Sequence, residues 1–377
     1  MEPSSEHPAL QRARSEIVPQ ALLGALADRP AYLVGGAVRD LLIGLQVDDL
    51  DVAVDGEIEP LLEQLGAEAK EHERFGTASL ELGGHRIDLA RTRRESYSAP
   101  GDLPEVAPAS IRADLARRDF TINAMAVPLT GEAELIDPYD GQIDLRNRVL
   151  RVIHPGSFSD DPTRALRAAR YATRLGMSLE TETERLLRAT DLGTVSSDRV
   201  AAELRRIAEE PEAEASFRLL DEWGLMETGA ERLELLARVD ALCSSDPWRP
   251  LVDRAEALVD AATCPSTRLA QAAALAALDP AEPPSIRFRA AAGLDDGLLL
   301  LARAHGAAWL DEHVQRWRRV RLAIDGNDLI AAGVEQGPAV GIGLEAALAA
   351  RIDGQTAADR EAELGIALAA IRKSERI

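Results

Sequence analysis

A chain of 377 residues is too long for one small module and allows two or three domains. Its net charge of −21, from 43 Lys and Arg against 64 Asp and Glu, leaves no blanket of positive charge for indiscriminate attachment to phosphates or anionic membranes, so any nucleic-acid contact must be local. With 46% hydrophobic and 28% charged residues it can bury a sizeable core, while 3% aromatics excludes a long single-strand stacking platform and favours Ala- and Leu-rich helices.

Met1 to Ala13 is polar and acidic rather than basic then apolar, and no run reaches about 18 apolar residues, so neither a signal peptide nor a membrane span is expected and the protein reads as cytoplasmic. After a helical lead-in over 1–29, Ala31 to Val34 predicts a short strand, Ala37 to Ile43 a short helix, and Leu50 to Val54 a strand whose apolar and acidic residues alternate. Thr77 to Leu82 and His85 to Leu89 predict a hairpin turning through Gly83 and Gly84, so the sheet is expected to be partly antiparallel. From Arg91 to Arg112 the pattern is lost amid Pro100, Gly101, Pro104 and Pro108, which predicts a long surface loop inside the module. Asp161 to Leu175 then carries helical spacing, and amphipathic helices alternate with short turns almost to the end, placing a boundary near 145–155.

Cys243 and Cys264 make neither a disulfide framework nor a four-ligand zinc site, and a reducing compartment fits them. The six histidines, His7, His72, His85, His154, His305 and His313, include no helical pair, so no histidine metal centre is expected.

Three clusters carry chemistry. In the first, a strand ending in Gly35-Gly36 opens a helix with Arg39 one turn in, which leaves bare backbone N–H groups where phosphate oxygens can approach. Asp49 and Asp51 follow at a period of two, projecting from one strand face while Leu50 and Val52 anchor the other. Paired carboxylates repel unless cations sit between them, and Mg²⁺ prefers carboxylate and phosphate oxygens, so a two-metal site is expected on Asp49 and Asp51. Asp88, on the later hairpin strand, is a candidate third carboxylate, its alternative being a simple surface residue. The second cluster runs from Arg117 to Ala126. There Arg118, Asp119 and Asn123, separated by apolar anchors, suit a triphosphate and a ribose edge, or else cap a helix start. In the third, Asp160-Asp161-Pro162-Thr163-Arg164 opens a helix that continues with Arg167, Arg170 and Arg174 along one face, ordinarily a solvated stripe.

Together, and in this order, the Gly-Gly-x-Val-Arg-Asp and Asp-x-Asp block, the Arg-Arg-Asp-Phe-Thr-x-Asn-Ala block and the acid-Asp-x-x-Arg block resemble the class of nucleotidyltransferases that holds the bacterial tRNA CCA-adding enzymes, their CC-adding and A-adding relatives, and bacterial poly(A) polymerase. The resemblance covers about residues 30–210 and extends weakly to Asp325-Gly326-Asn327-Asp328-Leu329 and Gly337-Pro338. Asp160 stands where the family usually has Glu. The resemblance implies an α+β fold: a polymerase-β-like nucleotidyltransferase head over 30–150, then an all-helical neck over 151–215 and a body and tail over 216–377 that hold tRNA.

The resemblance further implies template-independent addition of C and A to the tRNA 3′ end from CTP and ATP, with release of pyrophosphate, and leaves open CCA addition against addition of A alone, since both kinds of enzyme share every motif quoted. Asp49 and Asp51, with Asp88 beside them, would be catalytic, and the first two would bind the metal ions. Gly35, Gly36, Arg39, Arg118, Asp119, Asn123, Asp161, Arg164, Arg167 and Arg170 would bind the nucleotide. An Asp161 acceptor beside an Arg164 donor matches the edges of cytosine and adenine, whereas guanine and uracil turn a carbonyl oxygen toward the carboxylate. CC-only relatives lack a loop comparable to 91–112, so its presence argues against CC-only activity. The acidic chain argues against a poly(A) polymerase of this class, and a small-molecule nucleotidyltransferase would leave the helical two-thirds without a role. Neither membrane nor DNA is expected as a partner.

Overall fold

The computed structural model describes residues 8–66, 69–72, 76–131 and 134–375. Residues 1–7 of the expected lead-in, His7 among them, lie outside this set. From Pro8 to Leu26 the chain forms three short helical segments. It divides into two compact units, Met1–Glu227 and Thr228–Ile377.

The first unit is built on a six-stranded sheet. Its strands are β1 (Ala31–Val34), β2 (Asp49–Val54), β3 (Ala69–His72), β4 (Thr77–Leu82), β5 (His85–Arg91) and, after a two-stranded ribbon of β6 (Arg93–Ser96) and β7 (Glu105–Pro108), β8 (Ala126–Pro128). The order across the sheet is β3-β4-β5-β2-β1-β8. Among the described residues of this sheet only β2 and β5 pair in parallel, and their register sets Asp51 opposite Asp88. Leu50, Val52, Ile87 and Leu89 are all buried to within 1%. Alternation then turns Asp49, Asp51 and Asp88 to the opposite face, as the period of two requires.

Two expectations need correction. The 91–112 segment is not a structureless loop: β6 and β7 pair antiparallel from Arg93 with Pro108 to Ser96 with Glu105, and the helix Ile111–Ala116 follows. A polar two-stranded ribbon consists of edges alone, so Pro108 is tolerated at its end and no apolar alternation announces it. The helix expected from Asp161 begins at Thr163, because Asp161 is extended (φ −140°, ψ 95°) and Pro162 cannot donate the backbone hydrogen bond of a preceding turn. That helix, Thr163–Leu175, buries Ala165, Leu166, Ala168, Ala169 and Ala172 and ends at Gly176 with φ 60°.

Further helices, Thr181–Arg188, Ser197–Glu209 and Ala213–Glu222, complete the first unit. Phe120, fully buried, meets Phe158 and Tyr171 edge-on at 6.4 and 5.9 Å, which ties the segment before β8 to the helices after the sheet.

The second unit is helical. Asp325 caps the helix Gly326–Ala331 through a reciprocal bond with Asp328, and Gly337-Pro338 opens Pro338–Ile352, so the glycine-marked segment resolves into two helix starts. Ile324, Leu329, Ala347, Ala367 and Ile371 form one of its buried clusters, and Leu236, Val239, Trp248, Leu258 and Leu300 are buried elsewhere in the unit. Cys243 and Cys264 are buried free thiols in this unit. Among the described residues no helix is long and apolar enough to cross a membrane.

Candidate active site

Strand β1 enters a sharp turn at Gly35 (φ 69°, ψ −138°) and leaves as the helix Gly36–Leu42. The positive φ favours glycine, and a Cβ at Gly35 would lie 2.8 Å from Asp51 Oδ2 and 2.9 Å from Arg118 Nη1, so it would also push both charged side-chain ends aside. Gly35→Ala is expected to lower stability by about 1–3 kcal/mol, read as a fall in the urea midpoint at constant slope. An unchanged midpoint would mean that Asp51 and Arg118 are free to withdraw.

Asp49 is exposed at the start of β2, and Asp51 is half-buried beside it. Burial raises the Asp51 carboxyl above its ordinary value; Arg118 opposes this, while the like charges of Asp88 and Asp49 add to it. Asp88 accepts a hydrogen bond from Ser79 Oγ and lies 3.8 Å from an Arg86 nitrogen. Among the described residues no group of three His, Cys, Asp or Glu side chains gathers closely enough to hold a metal alone. Two carboxylates with excess negative charge beside an open cradle nonetheless have the donor chemistry that a hard divalent cation shares with substrate phosphates, so the residues fit such an ion.

The second cluster is a buried network. Asp114, 1% exposed, accepts from Arg117 at 2.9 Å and Arg118 at 3.0 Å. Burial alone would raise its carboxyl, but Arg118 and Arg117 together hold it below the usual range. Asp119 Oδ1 accepts from the Phe120 N–H and Asn123 Nδ2, and its Oδ2 accepts from Arg167 Nε at 2.9 Å. Against burial, which would raise it, Arg167 and the Asn123 hydrogen bond bring Asp119 down to about 2. Arg39, read from the sequence as a phosphate-holding cation, is 3% exposed and donates to both Asp40 oxygens and to Asn123 Oδ1. It braces the floor of the site.

The third cluster lies above this floor. Asp161 Oδ1 accepts from Thr163 N–H and Oγ1 and from Arg199. Arg164 is buried and donates to Ser157 Oγ at 2.7 Å and to the Arg117 carbonyl at 2.6 Å. The arginine stripe is no solvated face: Arg167 and Arg170 lie with Arg39 over the Tyr171 ring, 5.4, 4.9 and 5.3 Å from its centroid. Arg167 also donates to the Tyr171 hydroxyl at 2.8 Å.

All three clusters open into one cavity of about 700 Å³. It is lined by every residue proposed from the sequence: Asp49, Asp51 and Asp88; Gly35, Gly36 and Arg39; Arg118, Asp119 and Asn123; and Asp161, Arg164, Arg167 and Arg170. Asp160 is not among its walls and lies 3.7 Å from His154 instead. Tyr97 and Glu95 from the ribbon, Tyr171, and Glu203 also line the cavity and were not singled out from sequence. Asp114 was missed as well, although its spacing to Arg117 and Arg118 matches a helical i, i+3 and i, i+4 pair.

A family model described as the poly(A) polymerase head domain matches residues 31–151, and one described as a "probable RNA and SrmB-binding site of polymerase A" matches 176–231. An A-adding tRNA nucleotidyltransferase of Aquifex aeolicus is 47% identical over 43% of this chain, which spans only 21% of that relative's length. A CC-adding tRNA nucleotidyltransferase of Deinococcus radiodurans is 36% identical over 83% of this chain and 82% of its own. Among solved structures, the Thermotoga maritima CCA-adding enzyme complexed with tRNA-CCA superposes with a TM-score of 0.74 at 29% identity, covering 96% of this chain and 98% of that one. Similarity at 36% identity over 82% of the Deinococcus relative's length, together with a head domain matched by its own model, means that the chain belongs to the family of tRNA nucleotidyltransferases that share the poly(A) polymerase head.

Proposed function

We propose that this chain adds C and A nucleotides to the 3′ end of tRNA from CTP and ATP, without a nucleic-acid template and with release of pyrophosphate. The observation that carries the reading is the convergence of the Asp49/Asp51 face and the Asp161/Arg164 pair on one cavity. An acid pair that would serve phosphoryl chemistry and an acceptor and donor that would suit a base edge thereby line the same cavity. The division of the chain into head (30–150), neck (151–215) and tRNA-holding body and tail (216–377) belongs to the same proposal, as does a cytoplasmic location.

Asp49 and Asp51 would hold Mg²⁺, which when bound lowers the pKa of a coordinated hydroxyl and neutralises phosphate charge. Asp88 is placed to share their negative field. The Gly35-Gly36 backbone and Arg118 would receive the triphosphate, while Arg39, Asp119 and Asn123 keep that floor rigid. Arg167 and Arg170 add positive charge to the cavity wall. Asp161 would accept from the exocyclic amino group of cytosine or adenine and Arg164 would donate to the neighbouring ring nitrogen, so guanine and uracil would each face oxygen against oxygen. In the reaction the RNA 3′-hydroxyl oxygen forms a bond to the α-phosphorus, and the bond from that phosphorus to pyrophosphate breaks.

One assay tests the proposal: the protein with Mg²⁺, labelled CTP or ATP, and tRNAs ending before C, at CC, or intact. Addition of C and then A to the first, of A to the second and of nothing to the third is expected. A second reading, CC addition alone, draws on the Deinococcus relative, and the assay would reveal it as growth that stops after two C residues. No growth on any tRNA would remove the proposal. The relatives above that share the head are tRNA nucleotidyltransferases, which favours tRNA over poly(A) synthesis or small-molecule transfer; polymerisation of A onto RNA lacking a tRNA acceptor end would restore the poly(A) reading.

A further inference from the structure

Arg199 lies near the start of the helix Ser197–Glu209 and lines no part of the cavity. Its Nη1 donates to the Gly101 carbonyl and its Nη2 to Asp161 Oδ1, both at 2.8 Å. A planar guanidinium fixed at both terminal nitrogens has no freedom to swing, so it sets a constant geometry between two partners 60 positions apart in sequence.

Every hydrogen bond to the Asp161 side chain falls on one oxygen. Oδ1 accepts from Thr163 N–H at 3.0 Å, from Thr163 Oγ1 at 2.6 Å and from Arg199. Oδ2 has no partner among the described residues, and the side chain, 22% exposed, belongs to the cavity wall. Thr163 alone would bind either oxygen equally well after a half-turn of the carboxylate or a tilt of its plane. Arg199 approaches from a different helix and fixes the third direction, leaving Oδ2 as the acceptor for a base.

The other end of the clamp is seated with equal tightness. Gly101 lies between β6 and β7 with φ 76°, its N–H donates to the Ser159 carbonyl at 3.3 Å, and a Cβ there would stand 2.4 Å from the Thr194 carbonyl oxygen. The ribbon tip, the approach to Asp161 and the approach to Arg199's own helix therefore meet at one junction.

We infer that Arg199 is a positioning residue for base selection, holding the Asp161 carboxylate in reading geometry and coupling that geometry to the tip of the β6–β7 ribbon. This deepens the proposed function and rests on its assignment of Asp161 to the base edge.

The test uses the full chain with Arg199→Ala, Arg199→Lys, Asp161→Ala and the double variant Arg199→Ala/Asp161→Ala, each checked for native circular dichroism. The first readout is the ratio of kcat/KM for CTP to that for UTP on tRNA lacking its terminal CCA. Arg199→Ala should lower this ratio roughly tenfold, within the range of one base contact, mainly through a higher KM for CTP. Arg199→Lys, which keeps the charge but cannot span both partners rigidly, should fall between Ala and wild type. The double variant should discriminate no worse than Asp161→Ala, because Arg199 acts only through that carboxylate.

The second readout is limited proteolysis between residues 97 and 104, which Arg199→Ala should accelerate several-fold and which does not depend on catalysis. An unchanged CTP-to-UTP ratio in a folded Arg199→Ala protein, or additive losses in the double variant, would overturn the positioning role. Unchanged cleavage would overturn the coupling to the ribbon. Should the wild type transfer no nucleotide to any tRNA, the proposed function fails by itself. Equilibrium dialysis of CTP against UTP on the same variants then decides the Arg199 assignment separately, an unchanged binding ratio overturning it.

Discussion

Asp51→Ala is expected to reduce incorporation of both C and A by more than about a hundredfold, with Asp49→Ala behaving alike, while tRNA binding stays within a few-fold of wild type. The carboxylate projects from a strand whose opposite face, Leu50 and Val52, is fully packed, so its removal leaves the sheet intact. Its loss should also leave stability unchanged or raise it. Burial and the neighbouring charges of Asp88 and Asp49 lift the folded-state value of Asp51 above the unfolded one. In metal-free buffer the native state then binds more protons than the unfolded state, and stability falls as pH rises through this range. Asp51→Asn removes that penalty. Activity lost with an equal or higher urea midpoint would identify a residue kept for function at some expense of stability. A lowered midpoint, or retention of more than about a hundredth of wild-type turnover, would assign Asp51 to the architecture instead.

Asp119→Ala should be the most destabilising single change in the first unit's polar network, by about 3–5 kcal/mol, because it strips the buried Phe120 N–H and Asn123 amide of their acceptor and the half-buried Arg167 guanidinium of its closest carboxylate. The pH dependence has a defined sign. Asp119 is depressed from 3.8 to about 2, so its contribution is fully present above the unfolded value and is lost as pH falls through the folded one. That depression corresponds to about 2 kcal/mol. The difference in urea midpoint between wild type and Asp119→Asn should therefore be constant from neutral pH down to about 5 and shrink below about 4. A difference that persists unchanged at pH 3 would mean that Asp119 does not carry its charge in the native state.

What the sequence discloses about this site follows from the range over which each signal acts. The Gly35-Gly36 cradle, the Asp49 and Asp51 face and the opposed strand bearing Asp88 are local patterns, since a glycine pair and a period of two need no knowledge of distant contacts. The ribbon over β6 and β7 was illegible because Glu95 is held by Arg93 and Arg117, not by apolar alternation. Arg39 reads as a free cation because no local pattern shows that Asp40 grips it from the next position or that Asn123, 84 positions away, closes over its other side. Glu203, buried against Arg167 and Arg206, and Arg199 come from a helix that no local motif connects to the cavity. The same distance explains why the arginines after Arg164 resembled a surface stripe: their carboxylate partners Asp119, Glu203 and Glu210 all lie on other elements.

The ring of Tyr171 gathers three guanidinium groups of like charge within 5.4 Å of its centroid. Free arginines in water would diverge, and an arriving polyanion would have to collect them, losing rotamer freedom and reorienting solvent dipoles at each. Here the aromatic face, the Tyr171 hydroxyl and the surrounding carboxylates have already completed that work during folding. These guanidinium donors of the cavity wall are thus preorganised, and an anionic ligand that meets them needs almost no rearrangement of the protein to be received.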